Sequence, residues 1–284
     1  MHDHNHLNIH IYQPKNKSNG FGKLLKEMFA DFFSSFDLAK RLFIRDKKAE
    51  YKQSVFGILW AFITPFSNAL VWIFLSASGA INIPGTGIPY PLFVFIGTML
   101  WGVFTESVNM PLQQTNASRG LISKINFPKE AILLSGFYNL LFNTGIKLII
   151  IIGVLLFFQI NPGFGFLGFL MMLFLITFFG ISMGLILTPI GMLYKDIGRI
   201  IPMALSFLMY LTPVVYKEIR FKSLESILSL NPLTPLINSA RNLITQGGFE
   251  NPTYLIIIAA ATFFIGFLGW LFYRVSIPII VERM

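Results

Sequence analysis

Long apolar runs alternate with short polar ones along this chain, and six of the apolar runs approach the length of a bilayer crossing. They cover Phe56 to Ala80, Tyr90 to Met110, Ile132 to Phe158, Phe164 to Tyr194, Ile200 to Tyr216 and Tyr254 to Tyr273. A hydrocarbon core of about 30 Å needs about 20 mostly apolar residues in helical form. The pattern therefore predicts an all-α membrane protein with six transmembrane helices, the fifth being the shortest. Ahead of the first run the pattern changes. From Lys23 to Phe36, the residues Leu25, Met28, Phe29, Phe32, Phe33 and Phe36 recur at spacings of three and four, with Lys23, Lys26, Glu27 and Asp31 between them. A single apolar stripe on a charged helix predicts an N-terminal amphipathic interface helix, phenylalanines inward and lysines toward anionic headgroups.

A second helix follows from Asp37, a favourable N-cap residue, through the charge cluster RDKKAEYK at 45–52 to the first span. Because a helix satisfies its own backbone hydrogen bonds, the expectation is one unbroken rod from water into lipid. INIPGTGIP at 81–89 and QINPG at 159–163 read as Pro/Gly turns. The connection at 217–253 is longer and carries apolar segments on both sides of NPLTP, which predicts two short re-entrant or surface helices between spans five and six. The resulting organisation is a flexible tail at 1–21, interface and lead-in helices at 22–55, a six-helix domain at 56–275 with an inner loop at 116–130, and a tail at 276–284. The first apolar run follows some fifty polar residues, which argues against a cleaved signal peptide. With no pair of repeated halves of the kind many transporters carry, symmetry would have to come from a second copy of the chain.

Composition agrees with the pattern: 54% of residues are hydrophobic and 12% charged, against about 25% charged in soluble domains. The net charge of +9 raises nucleic-acid binding, but the positions of the charges answer it. Seventeen Lys and Arg fall in the N-terminal region, the loops after spans two and four and the C-terminal tail; four fall on the opposite side and Lys147 within a span. Positive charge collects on the cytoplasmic side, which places both termini in the cytoplasm and makes the basic excess a matter of topology. There is no cysteine, so thiolate metal sites and disulfides are excluded. The four histidines sit in the first ten residues, a pattern closer to a solvated tail than to a metal site. A phosphate loop at 19–27 fails, because Lys17 and Leu24 stand where glycine and a hydroxyl residue are needed.

Within the spans there is one acid, Glu106, and no histidine, so catalysis is poorly supported. Asn139, Asn143 and Lys147 are four apart and share one helix face. Intramembrane polar groups usually face a bundle interior or an aqueous path, so this stripe is either a substrate path, with Glu106, Trp60 and Tyr90 as further lining candidates, or interhelical glue. Gly180, Gly184 and Gly191 suggest close helix packing.

LFIRDKKAEYKQSVFGILWAFITPF at 42–66 resembles the first-span motif of ABC-type polysaccharide export permeases, at Arg45, Asp46, Tyr51, Gly57, Trp60 and Pro65. The resemblance continues through SRGLISKINFPKEAILLS, PIGMLYKDIGRIIPMAL, LTPVVY and NPLTPLINSARNLI, and so covers most of residues 38–275. It implies the membrane subunit of an O-antigen, capsule or teichoic-acid exporter: a homodimer working with two separate ATPase subunits that carry ATP and Mg, with no cofactor in this chain. It further implies an undecaprenyl-linked polymer as substrate, threading between two permeases. The loop containing Ser118, Arg119, Gly120, Leu121 and Lys124 would then be the coupling contact with the ATPase. Two other readings remain: an ABC permease for small molecules, and a membrane-embedded sugar transferase using Glu106 and Lys147.

Overall fold

The computed structural model describes residues 20–52, 56–79, 87–122, 124, 127–217, 230–245 and 247–282, and among these there is no strand. The histidine-bearing tail and one of the two expected short helices, around SLESILSL, lie outside the described residues. The helices are α1 (Phe21–Ser34), α2 (Phe36–Lys52), α3 (Trp60–Ala77), α4 (Tyr90–Ala117), α5 (Arg119–Ile122), α6 (Glu130–Phe157), α7 (Gly165–Leu193), α8 (Ile197–Tyr210), α9 (Leu233–Thr245) and α10 (Pro252–Glu282).

Five of them, α3, α4, α6, α7 and α10, are long and apolar enough to cross a membrane. The run expected to form the fifth span, Ile200 to Tyr216, instead gives α8, a helix of 14 residues. At 1.5 Å per residue that is about 21 Å, short of a bilayer core. The chain leaves the helix through turns at Leu211–Pro213, where Pro213 cannot donate to a further turn of helix. At the C-terminus the difference runs the other way: the expected tail at 276–284 continues α10 as far as Glu282.

The rod expected from α2 into α3 is broken. Gly57 adopts φ +45° in a short 3-10 turn, Gly57–Leu59, ahead of Trp60. A left-handed residue cannot continue a right-handed helix, so α2 and α3 are separate elements.

α4 lies at the centre of the bundle, with most of its length from Leu92 to Thr115 buried. It packs against α7 through small residues. Gly184 faces the Val108 carbonyl so closely that an added Cβ would lie 2.4 Å from that oxygen, and Gly180 sits in the same way against Ser107. α10 packs on the next face of α7, where Ser182 Oγ donates to the Thr262 carbonyl at 3.2 Å. The Tyr273 hydroxyl meets Thr115 Oγ1 at 3.1 Å, so α10 is fastened to α4 as well. Small residues give this backbone approach, which in lipid replaces the hydrophobic drive that packs soluble helices.

α3 is different, with Ala69 as its buried residue while Leu70, Val71 and Phe74 are exposed. α1 uses only part of its apolar stripe. Met28 is buried, and Phe29 and Phe32 pack edge-on against Trp270 of α10 at 5.3 and 5.4 Å, but Phe33 stays exposed.

Candidate functional site

Midway along α4 and α6, the sequence has set two ionisable groups on facing helices. Lys147 Nζ lies 2.6 Å from Glu106 Oε2, and Asn143 Nδ2 donates to Glu106 Oε1. Asn143 and Lys147, one helical turn apart on α6, thus close on a single carboxylate. The third polar residue of the stripe is not recruited: Asn139 Oδ1 is buried and accepts no hydrogen bond from the described residues. Glu106 itself is not at the end of its helix as the apolar pattern suggested, because α4 continues eleven residues beyond it to Ala117.

The pair is extended by a residue that sequence reasoning left in the charge cluster. Lys47 of α2, 8% exposed, donates to Asn143 Oδ1 at 3.3 Å and to Glu50 Oε2 at 2.9 Å. Its ammonium also lies 5.3 Å from the Tyr51 ring centre and 5.1 Å from that of Phe142. A ladder Glu50–Lys47–Asn143–Glu106–Lys147 therefore runs from α2 to α6, across to Glu106 of α4 and back to α6, with the Asn143 amide bridging Lys47 and Glu106. Each buried charge has a partner of opposite sign or a polar amide, the condition under which such groups are tolerated away from water.

A second contact holds α2 in register. Asp46 accepts from Arg45 Nε at 2.8 Å and from Gln114 Nε2 of α4 at 3.1 Å, and Gln114 also reaches Ser135 Oγ of α6 at 3.3 Å. The Arg45–Asp46 dipeptide of the first-span motif is thus a docking element for α2. Of the other motif residues, Gly57 and Tyr51 sit together, an added Cβ on Gly57 lying 3.9 Å from the Tyr51 ring. Trp60 is half exposed against Phe56 at 5.7 Å, and Pro65 lies inside α3.

The loop expected to make a coupling contact starts with the four-residue α5. Ser118 is buried, Leu121 half-buried, and Gly120 and Lys124 are exposed. Arg119 is turned inward in part, donating to the Met192 carbonyl of α7 at 3.0 Å. Just past that loop, Glu130, 1% exposed, takes two 2.6 Å hydrogen bonds from Arg274 Nη1 of α10. Arg274 Nη2 donates to Asp31 of α1. One guanidinium therefore joins the interface helix, the start of α6 and the end of α10. Burial lowers the pKa of the neighbouring Lys129 ammonium, with Glu130 opposing the shift.

At the other end, the half-buried Tyr90 donates its hydroxyl to the Val215 carbonyl at 3.2 Å. α9 carries Arg241, which burial pushes down to about 9, with Glu250 opposing, so that it is charged at neutral pH. It donates to the Val214 carbonyl at 2.8 Å and stacks 3.6 Å from the Phe93 ring. Arg241 and Arg274 were legible in the sequence only as charges counted toward topology, and Glu130 was not singled out. Their signal was their position beside apolar runs, and partner choice was not written there.

Among the described residues no group of three or more histidine, cysteine or acidic side chains is placed to hold a metal. Among the described residues, an all-helical bundle with five helices long and apolar enough to cross a membrane and an internal charge ladder marks a multi-pass membrane protein. The chain belongs to the ABC-2 type transporter family, which it matches over residues 38–245. It is similar to O-antigen export system permease proteins RfbA, 27% identical to one from Klebsiella pneumoniae over 82% of this chain and 90% of that protein. A second, from Myxococcus xanthus, is 26% identical over 77% of this chain and 84% of that protein. The polysialic acid transport protein KpsM of Escherichia coli is 22% identical over 82% of this chain and 91% of that protein.

Proposed function

We propose that this chain is the membrane-spanning subunit of an ATP-driven exporter that carries undecaprenyl-linked surface polysaccharide across the cytoplasmic membrane. Two copies enclose the path, two separate cytoplasmic ATPase subunits bind ATP and Mg, and both termini lie in the cytoplasm. α8 then completes the sixth crossing together with the turn that follows it. The relatives' names support O-antigen or polysialic acid polymers as the substrate class, and the first-span motif resembles that of permeases for O-antigen, capsule and teichoic-acid polymers.

The observation that carries this reading is the ladder from Lys47 to Lys147. It ties α2, which leads the chain into its first span, to paired charges midway along α4 and α6. A subunit that must open in response to a partner needs such a link between peripheral and membrane elements. In this reading Lys124, exposed beside α5, contacts the ATPase, and Arg119 holds that loop to the end of α7.

Reconstitution of the chain with its ATPase in proteoliposomes tests the proposal. ATP-dependent movement of lipid-linked polymer is expected, with none when either subunit is omitted. Robust ATP hydrolysis by the chain alone, or transport of small hydrophobic solutes without polymer, would overturn it.

A further inference from the structure

On its outer side, α2 forms one wall of a cavity of about 690 Å³ whose other wall is Phe142 of α6. Lys48, Lys52, Tyr51 and Ile44 line it, with Phe43 and Lys47 behind. Positions 44, 48, 51 and 52 share one helix face, so two ammonium groups, a phenol and an apolar wall are presented together. The two cations differ from Lys47, which is already committed to Glu50 and Asn143. Lys48 and Lys52 are exposed, and neither has an ion pair or hydrogen bond among the described residues.

The depth of this cavity follows from α3. Its 18 residues span about 27 Å, close to the thickness of the hydrocarbon core. The basic run at Lys47, Lys48 and Lys52 ends eight positions ahead of Trp60, and positive charge collected shortly before a first span suits the cytoplasmic headgroup layer. Trp60, at the start of α3 and half exposed, suits the same interface. An acidic protein would satisfy the lysines but leave Ile44, Phe43 and Phe142 facing a polar surface. A lipid satisfies both halves, since a phosphate and an acyl chain are joined in one molecule.

We propose that this cavity binds an anionic glycerophospholipid of the membrane, its phosphate between Lys48 and Lys52 and an acyl chain along Ile44, Phe43 and Phe142. The bound lipid wedges α2 against α6 beside the ladder, so the setting of α2 depends on the anionic lipid content of the leaflet. The inference rests on the proposed placement of α2 at the inner membrane face and not on the identity of the polymer. It is tested without polymer or ATP.

The full chain, purified in detergent, is titrated with phosphatidylglycerol or phosphatidylcholine and read by native mass spectrometry. Two ammonium groups at a headgroup give a retention preference on the order of tenfold for phosphatidylglycerol. Lys48→Gln with Lys52→Gln should abolish the preference, Lys48→Arg with Lys52→Arg should keep it, and Lys195→Gln with Arg199→Gln, exposed around the start of α8, should leave it unchanged. Circular dichroism verifies that each variant is folded. Equal retention of the two lipids, or loss in the variant at Lys195 and Arg199 as great as in the α2 variant, overturns the site. Displacement of phosphatidylglycerol by a prenyl diphosphate at equal concentration would make the cavity a substrate subsite instead. If Lys48→Gln with Lys52→Gln abolished ATPase binding and left lipid retention intact, the face would belong to a protein partner.

Discussion

Glu106 and Lys147 stand 2.6 Å apart on neighbouring helices, the lysine side chain 15% exposed and the carboxylate 30%. Neither would be stable alone at that depth, because an unpaired charge there loses its hydration without compensation. Glu106→Gln leaves Lys147 unpaired and is expected to cost about 1–3 kcal/mol, less than the ~3–5 kcal/mol of a fully buried pair. Glu106→Gln with Lys147→Met should recover part of that loss. Thermal unfolding in detergent of both singles and the double reads the coupling, and strictly additive losses would show that the pair does not act as a unit.

Arg274 offers a sharper version of the same experiment. Its removal strands Glu130, whose side chain is 1% exposed, and also frees Asp31 of α1. Arg274→Ala should cost about 3–5 kcal/mol and expose α1 to protease, whereas Glu130→Gln with Arg274→Met should restore much of the stability but leave α1 loose. Unchanged proteolysis of α1 in the double variant would mean that Phe29 and Phe32 on Trp270 hold that helix by themselves.

Gly97 of α4 packs against Arg241 of α9 and the turn that follows α8. A Cβ at this position would lie 2.1 Å from the Val214 carbonyl oxygen and 2.5 Å from Arg241 Nη2, and neither can retreat, since Arg241 is held in turn by that carbonyl and the Phe93 ring. Gly97→Ala is expected to destabilise by at least about 1–3 kcal/mol and to detach α9, which a cysteine cross-link between α9 and α4 would register as lost efficiency.

The left-handed Gly57 predicts a change of shape as much as of stability. Gly57→Ala places a Cβ in a conformation costing about 1 kcal/mol and biases the α2–α3 junction toward straight helix. Spin labels on α1 and mid-α3 should move apart, and ATP-dependent transport should fall; unchanged distances would show that neighbours, not Gly57, set the bend.

How far the sequence carried can be seen in single residues. Spacing placed Asn143 and Lys147 on one face of one helix, and composition marked Glu106 as the acid within the spans. That these three meet, that Asn139 is left out and that Lys47 joins from α2 depends on how two helices rotate about their axes. Rotation is decided by packing along the whole interface, which no local window contains.

The same division holds at larger scale. Local physics sufficed for the all-helical class, for three of the long apolar helices (α3, α6 and α7) within a few residues at each end, and for an amphipathic helix ahead of them, because length, periodicity and charge are properties of a segment in a given solvent. The break at Gly57, the shortening of α8 before Pro213 and the burial of Arg241 came from tertiary structure. Each is a local cost, a left-handed residue, a truncated helix or a desolvated cation, that is offset only by contacts with residues far away in the chain.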